Sequence, residues 1–128
     1  MTAHDASVLI VEDERAVAEI YGLALGRRGY RVSVANDGVE GLSMARELRP
    51  DFIFLDIRMP KMDGIEVLRQ LAGDATMRAI PIVMMTNFDD PSFKKACAEL
   101  GARDYIVKAG TNPSSLPEIV ERWLNPAF

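Results

Sequence analysis

The chain predicts an α/β fold: a doubly wound, five-stranded parallel sheet with helices on both faces. Three observations carry this. Short apolar runs alternate with helically spaced segments from end to end. Three of the runs, Val8-Leu-Ile-Val11, Phe52-Ile-Phe-Leu55 and Ile82-Val-Met-Met85, are apolar at every position, as parallel strands covered on both faces are. Five strands separated by five helices imply right-handed crossovers within one sheet.

The first strand is expected over Val8–Val11. Val17, Ile20, Tyr21, Ala24 and Leu25 then follow the i, i+3, i+4, i+7, i+8 spacing of a helix, which Gly29 is placed to stop. The second strand, Arg31–Ala35, alternates polar with apolar residues and belongs at an edge. Gly41, Leu42, Ala45 and Leu48 mark the second helix, ended before Pro50. The third strand is Asp51–Leu55, followed by a short helix marked by Ile65, Leu68 and Ala72. The fourth strand, Ile82–Met85, precedes a helix carrying Phe93, Ala96, Cys97 and Leu100 and closed by Gly101. The fifth strand, Tyr105–Val107, leads to a last helix with Leu116, Ile119, Val120 and Trp123. Cys97 and Trp123 are assigned to the core.

The totals bound the function. With 128 residues, 48% hydrophobic and 27% charged, the chain reads as one soluble domain over 1–128, its core near 8–124. No run approaches the ~18 apolar residues of a membrane span. Met1 to Ser7 lacks the basic start and apolar block of a signal peptide. A lone cysteine suits a reducing, cytoplasmic setting. A net charge of −4 argues against direct contact with nucleic acid or an anionic membrane.

Doubly wound sheets bind ligands beyond the carboxyl ends of their strands. There the sequence places Glu12, Asp13 and Glu14 after strand one, Asp56 after strand three, Thr86 and Asn87 after strand four, and Lys108 after strand five. Crowded carboxylates repel unless a cation joins them. Oxygen-only ligands select a hard ion, and Mg²⁺ needs few carboxylates because it keeps its waters. An aspartate beside Mg²⁺, a lysine and a threonine hydroxyl has the parts of phosphoryl transfer, with Asp56 as the in-line nucleophile. The residues after strand one, Glu12-Asp-Glu-Arg15, are neither a dinucleotide fingerprint nor a P-loop. Arg58, two residues past Asp56, is not a second acid, so rapid turnover of an acyl phosphate is not provided for.

Val11-Glu-Asp-Glu14, Leu55-Asp-Ile-Arg-Met-Pro-Lys-Met-Asp-Gly64, Met84-Met-Thr86 and Gly101-Ala-Arg-Asp-Tyr-Ile-Val-Lys108, in that order, resemble the motifs of response regulator receiver domains in two-component signalling. The resemblance spans Val8 to Leu124. It implies a CheY-like, flavodoxin-like (βα)5 fold with strand order 2-1-3-4-5. It implies that Asp56 accepts a phosphoryl group from a histidine kinase or a histidine phosphotransfer protein. Asp13 and Asp56 would bind Mg²⁺, Glu12 through water and Arg58 through its backbone carbonyl. Lys108 would pair with the phosphoryl group, Thr86 would swing toward it, and Tyr105 would turn inward. The face made by helix 4, strand 5 and helix 5 would then change for a downstream protein target, or for a phosphorylation-dependent homodimer in place of the monomer. The chain departs from the family at Glu12, where Asp is commoner, and at Asn87, where a small residue is usual. It also has Ala109 where a proline usually follows a cis bond. A cis bond before alanine costs ~3 kcal/mol more than before proline, so the Lys108 loop is expected to be trans or more mobile.

Plainer readings stand beside these. Glu12 and Asp13 could cap a helix or charge its first turn, and Glu14 is read that way and left out of the site. Lys108 could be a solvated cation, Thr86 a cap, and Tyr105 edge packing. His4, with no helix around it, is read as inert. The leading function is a stand-alone phosphorylation switch, not an enzyme beyond slow self-phosphorylation and autodephosphorylation. The alternatives are a pseudo-receiver that binds without phosphate control and an aspartyl-nucleophile phosphatase, against which Arg58 speaks.

Overall fold

A computed structural model describes residues 5–125; His4 lies outside them. Five parallel strands, β1 (Ser7–Val11), β2 (Arg31–Ala35), β3 (Phe52–Asp56), β4 (Ile82–Thr86) and β5 (Asp104–Val107), form one sheet in the order β2-β1-β3-β4-β5. Between and after them run α1 (Arg15–Gly26), α2 (Gly38–Leu48), α3 (Gly64–Ala72), α4 (Pro91–Glu99) and α5 (Leu116–Leu124). The fold class and the strand order agree with the sequence reading. β2, the alternating strand, is at one edge, and the half-buried β5 is at the other.

The continuous apolar runs are continuous because both faces are covered. Leu9, Val11, Ile53, Leu55, Ile82 and Met84 pack with Leu42 and Ala45 of α2, Val67, Leu68 and Leu71 of α3, and Cys97 of α4. The intervening residues Val8, Ile10, Phe52, Phe54, Val83 and Met85 pack with Tyr21 and Leu25 of α1 and with Leu116, Ile119 and Val120 of α5. Strand alternation thus sorts one apolar run into two cores. Cys97 is buried as expected, and Trp123 is half-buried against the second core.

Several details differ from the expected stripes. Ile20 and Leu48 are about half exposed, at 51% and 47%. The buried arc of α1 is Ala18, Tyr21 and Leu25, which leaves Ile20 on its flank. The inward face of α3 is Val67, Leu68 and Leu71, while Ile65 and Ala72 are half-buried. α1 closes at Gly26, and i→i+3 bonds from Arg28 and Gly29 carry the chain to the positive φ of Gly29, 92°. β3 extends one residue further than expected, to include Asp56, which pairs with Met85. The Lys108–Ala109 bond is trans.

Register brings the strand ends together. Val11 pairs with Leu55, so Glu12 and Asp56 are the next step on adjacent strands. Thr86 pairs with Val107, so Lys108 follows directly. The loop after β3 is pinned by the Gly64 N–H, which donates to the Ile57 carbonyl at 2.8 Å. A Cβ on Gly64 would lie 2.0 Å from the Asp56 carbonyl oxygen. Glycine is required here for space, since its φ is not positive.

Gly64→Ala must therefore displace backbone at Asp56. We expect it to destabilise the fold by about 2–4 kcal/mol, read from urea midpoints. Gly26, around which a Cβ meets nothing within 4 Å, is the contrast. Gly26→Ala should raise stability by about 0.5–1 kcal/mol through helix propensity and unfolded-chain entropy.

Candidate functional site

The site lies at the carboxyl ends of β1 and β3, where the strand order reverses. Glu12, Asp56 and Thr86 are the buried polar or charged residues among those described, at 0%, 3% and 1% exposure. Each is fixed by the sheet. The Glu12 N–H donates to the Ala35 carbonyl at 2.9 Å, and the Ile57 N–H, just past Asp56, donates to the Met85 carbonyl at 3.0 Å.

Lys108 reaches into this pocket from the end of β5 with its side chain 7% exposed. Its Nζ lies 2.6 Å from Glu12 Oε1 and 3.2 Å from Asp56 Oδ2. Glu14, with Oε1 3.9 Å from the same nitrogen, forms an exposed rim to the site. It was missed because its charge also suits a helix start. As N-cap of α1 it makes no side-chain cap bond, whereas Asp37, Asp63 and Asp90 cap α2, α3 and α4. The capping reading of the acidic run after β1 is therefore not met.

One ammonium faces several carboxylates, and the electrostatics show the imbalance. Burial pushes the Asp56 carboxyl up to about 7, the Glu12 charge pushes the same way, and Lys108 opposes them. Burial pulls Lys108 down, yet its contact with Glu12 and the charge of Asp56 outweigh this and leave it above the usual lysine value. Tyr21, read from the sequence as plain core, is raised first by burial and also feels the charges of Lys108, Glu12 and Asp56.

Carboxylate oxygens of Glu12, Asp13 and Asp56 lie within 4.8 Å of one another. The donor set is all oxygen and suits a hard divalent cation. The two Glu12 oxygens are already engaged, Oε1 by Lys108 and Oε2 by the Glu14 N–H at 3.1 Å. Asp13 is exposed, and the buried Asp56 has only its Oδ2 on Lys108, so these two are the more available ligands. Two carboxylates are what a largely hydrated Mg²⁺ takes.

Thr86 Oγ1 accepts the Phe88 N–H at 3.2 Å. The half-buried Tyr105 donates its hydroxyl to the Phe88 carbonyl at 3.2 Å. Arg58 is exposed and extends its guanidinium over the rings of Phe88 and Phe93. The structure thus brings Glu12, Asp13, Asp56 and Lys108 together, with Thr86 at the end of β4 and Tyr105 reaching from β5 to the loop after β4. Phe93, read as stripe, also touches this loop, and helical spacing alone could not have shown it.

A family model for the response regulator receiver domain matches residues 8–121. Response regulator MprA of Mycobacterium tuberculosis is 43% identical over 115 residues, which are 90% of this chain and 47% of that protein. The chain thus spans about half the length of the curated relatives it matches. Among solved structures, chemotaxis protein CheY4 of Vibrio cholerae is similar with a TM-score of 0.85 and 33% identity, over 93% of this chain and 98% of that one. The receiver domain of a signal transduction histidine kinase from Syntrophus aciditrophicus is similar with a TM-score of 0.85 and 34% identity, over 94% and 91% of the two chains. Fold, strand-end residues and matched sequence converge: the chain belongs to the response regulator receiver domain family of two-component signalling.

Proposed function

We propose that the chain is a phosphorylation-dependent switch in which Asp56 takes a phosphoryl group from a histidine kinase or a histidine phosphotransfer protein. The observation that carries this is a buried Asp56 carboxylate with the Lys108 ammonium 3.2 Å away. The Asp56 oxygen attacks phosphorus in line and forms an acyl phosphate. The donor's P–N bond breaks, and the imidazole nitrogen leaves with the electron pair. Lys108 neutralises charge on the phosphoryl oxygens. Mg²⁺, held by Asp13 and Asp56, by Glu12 through water and by the Arg58 carbonyl, would neutralise more of it.

Phosphorylation adds about −1.5 to −2 charges. Thr86 then turns its hydroxyl from the Phe88 N–H toward the new oxygens, and Tyr105 leaves the Phe88 carbonyl to turn inward. The loop between β4 and α4 moves with them, and the face of α4, β5 and α5 changes for a downstream protein or a second copy. Arg58 lies over aromatic rings and supplies no general acid, so the acyl phosphate is held and not rapidly turned over. A cytoplasmic location agrees with this chemistry.

Acetyl phosphate with Mg²⁺ should add the mass of one phosphoryl group to the intact chain. Asp56→Asn should abolish the gain, and Lys108→Ala should slow it about 10²-fold, as loss of one charge-stabilising donor does. Loading that survives Asp56→Asn defeats the assignment, and no gain in the wild type points to a pseudo-receiver.

The raised Asp56 value gives a second expectation. In the folded chain it titrates near 7, above its ordinary value of 3.8. The native state therefore holds a proton that the unfolded state has lost, and stability falls as pH rises from about 4 through 7. In chelator, Asp56→Asn should gain on the wild type across that window, by about 1–3 kcal/mol at pH 8. Urea midpoints at pH 4.5 and 8 read this directly, and Mg²⁺ should narrow the gap.

A further inference from the structure

We propose that Arg58, Phe88 and Phe93 form a latch that holds the loop between β4 and α4 at rest, and that loading Asp56 must break it. The inference rests on the switch reading above and assigns it a regulatory contact. Phe88 is the central piece. Its N–H is given to Thr86 Oγ1 and its carbonyl accepts the Tyr105 hydroxyl, each at 3.2 Å. The two hydroxyls proposed to move are thus tied to the backbone of one residue.

The Phe88 side chain decides whether that backbone stays. The residue is 58% exposed, so burial alone gives its ring little reason to remain. The Arg58 guanidinium carbon lies 5.4 Å from the Phe88 ring centroid and 5.9 Å from that of Phe93. Both distances are within cation–π range. Arg58 follows Asp56 by two residues, and Phe93 lies in the first turn of α4. Asp90, which caps α4 through the N–H groups of Ser92 and Phe93, also feels the Arg58 charge. One exposed side chain therefore fastens the loop after β3 to the loop after β4 and to the start of α4.

The strength suits the task. A cation over an aromatic ring at an exposed site changes an equilibrium by a few-fold, not by orders of magnitude. Such a contact biases the resting state without locking it. Any contact made only at rest lowers the population able to bind and weakens apparent affinity by the same factor.

Beryllofluoride with Mg²⁺, a mimic of the phosphoryl group, provides the test. It is titrated into the wild type, Arg58→Met, Arg58→Lys and Phe88→Ala, with the amide resonances of Asn87, Asp89 and Tyr105 followed by NMR. Met keeps the length of Arg58 and removes its charge; the backbone groups at position 88 remain in every variant. We expect Arg58→Met and Phe88→Ala to bind about two- to fivefold tighter, and Arg58→Lys to stay within about twofold of the wild type. In the free Arg58→Met protein, the Tyr105 resonance should lie part-way along the line from free to bound wild type. Unchanged affinity with unmoved resonances overturns the latch, and so does weaker binding by Arg58→Met, which would make Arg58 a ligand of the phosphoryl group. Failure of the wild type to bind brings down the switch reading and the latch together, whereas a binding wild type with unaltered variants brings down the latch alone.

Discussion

The Lys108 ammonium between Glu12 and Asp56 is the contact on which the site depends. Two carboxylates on adjacent strands, nearly without solvent, repel across a short gap. Burying either without a partner costs several kcal/mol. Lys108 makes both tolerable from the far side of the sheet, and only the register of β4 and β5 allows it to arrive. Even so, burial and the Glu12 charge push Asp56 up to about 7, and the oxygens of Glu12, Asp13 and Asp56 form a cluster that could hold a cation.

The scaffold serves this contact by holding backbone still where the side chains are under electrostatic stress. Asp56 is the last paired residue of β3, opposite Met85, and the next N–H, that of Ile57, donates to the Met85 carbonyl. The following loop is pressed so closely on it that only glycine fits at position 64. By contrast, the groups proposed to move are at strand ends, in loops or at the sheet's edge. Phe88 is exposed, and Tyr105 belongs to an edge strand with every residue half-buried; Thr86 is as buried as Asp56 and ends its strand in the same way, so its part is a turn of the hydroxyl alone. Rigid support under the acceptor and looser support under Phe88 and Tyr105 is the division the proposed switch requires.

Much of this was legible from residues alone, for physical reasons that differ by level. Apolar runs of that length fit doubly covered strands, and the alternation of β2 fits an edge. Once the strands were parallel, their carboxyl ends had to share a rim, so Glu12, Asp13, Asp56, Thr86 and Lys108 were found from the pattern. The helix faces were read less well. Ile20 and Leu48 satisfy the helical spacing yet stand at the margins of their stripes, where packing and not periodicity decides exposure. Glu14 was set aside as a helix charge and Phe93 read only as helix stripe because what they touch, Lys108 and Arg58, comes from distant parts of the chain. Spacing within one element carries no signal for such contacts.

The Glu12 departure from the family also acquires a physical meaning. Its longer arm reaches Lys108 at 2.6 Å while its second oxygen accepts the Glu14 N–H. Of this fully buried glutamate, one oxygen is hydrogen-bonded and the other is held by the charge of Lys108 alone, without hydrogen-bond geometry. In the proposed switch, Lys108 turns toward the phosphoryl oxygens and its hold on Glu12 weakens. The abandoned carboxylate would then be buried and short of a cation, a state as costly as the one Lys108 relieved. Some positive charge must remain near Glu12 for the loaded state to persist. A divalent cation held by Asp13 and Asp56 would supply that charge, and the Glu14 N–H would keep its place on the second Glu12 oxygen. On this argument Glu12 would link metal and lysine more than ligate the metal, and the proposed loaded state of Asp56 would depend on both cations at once.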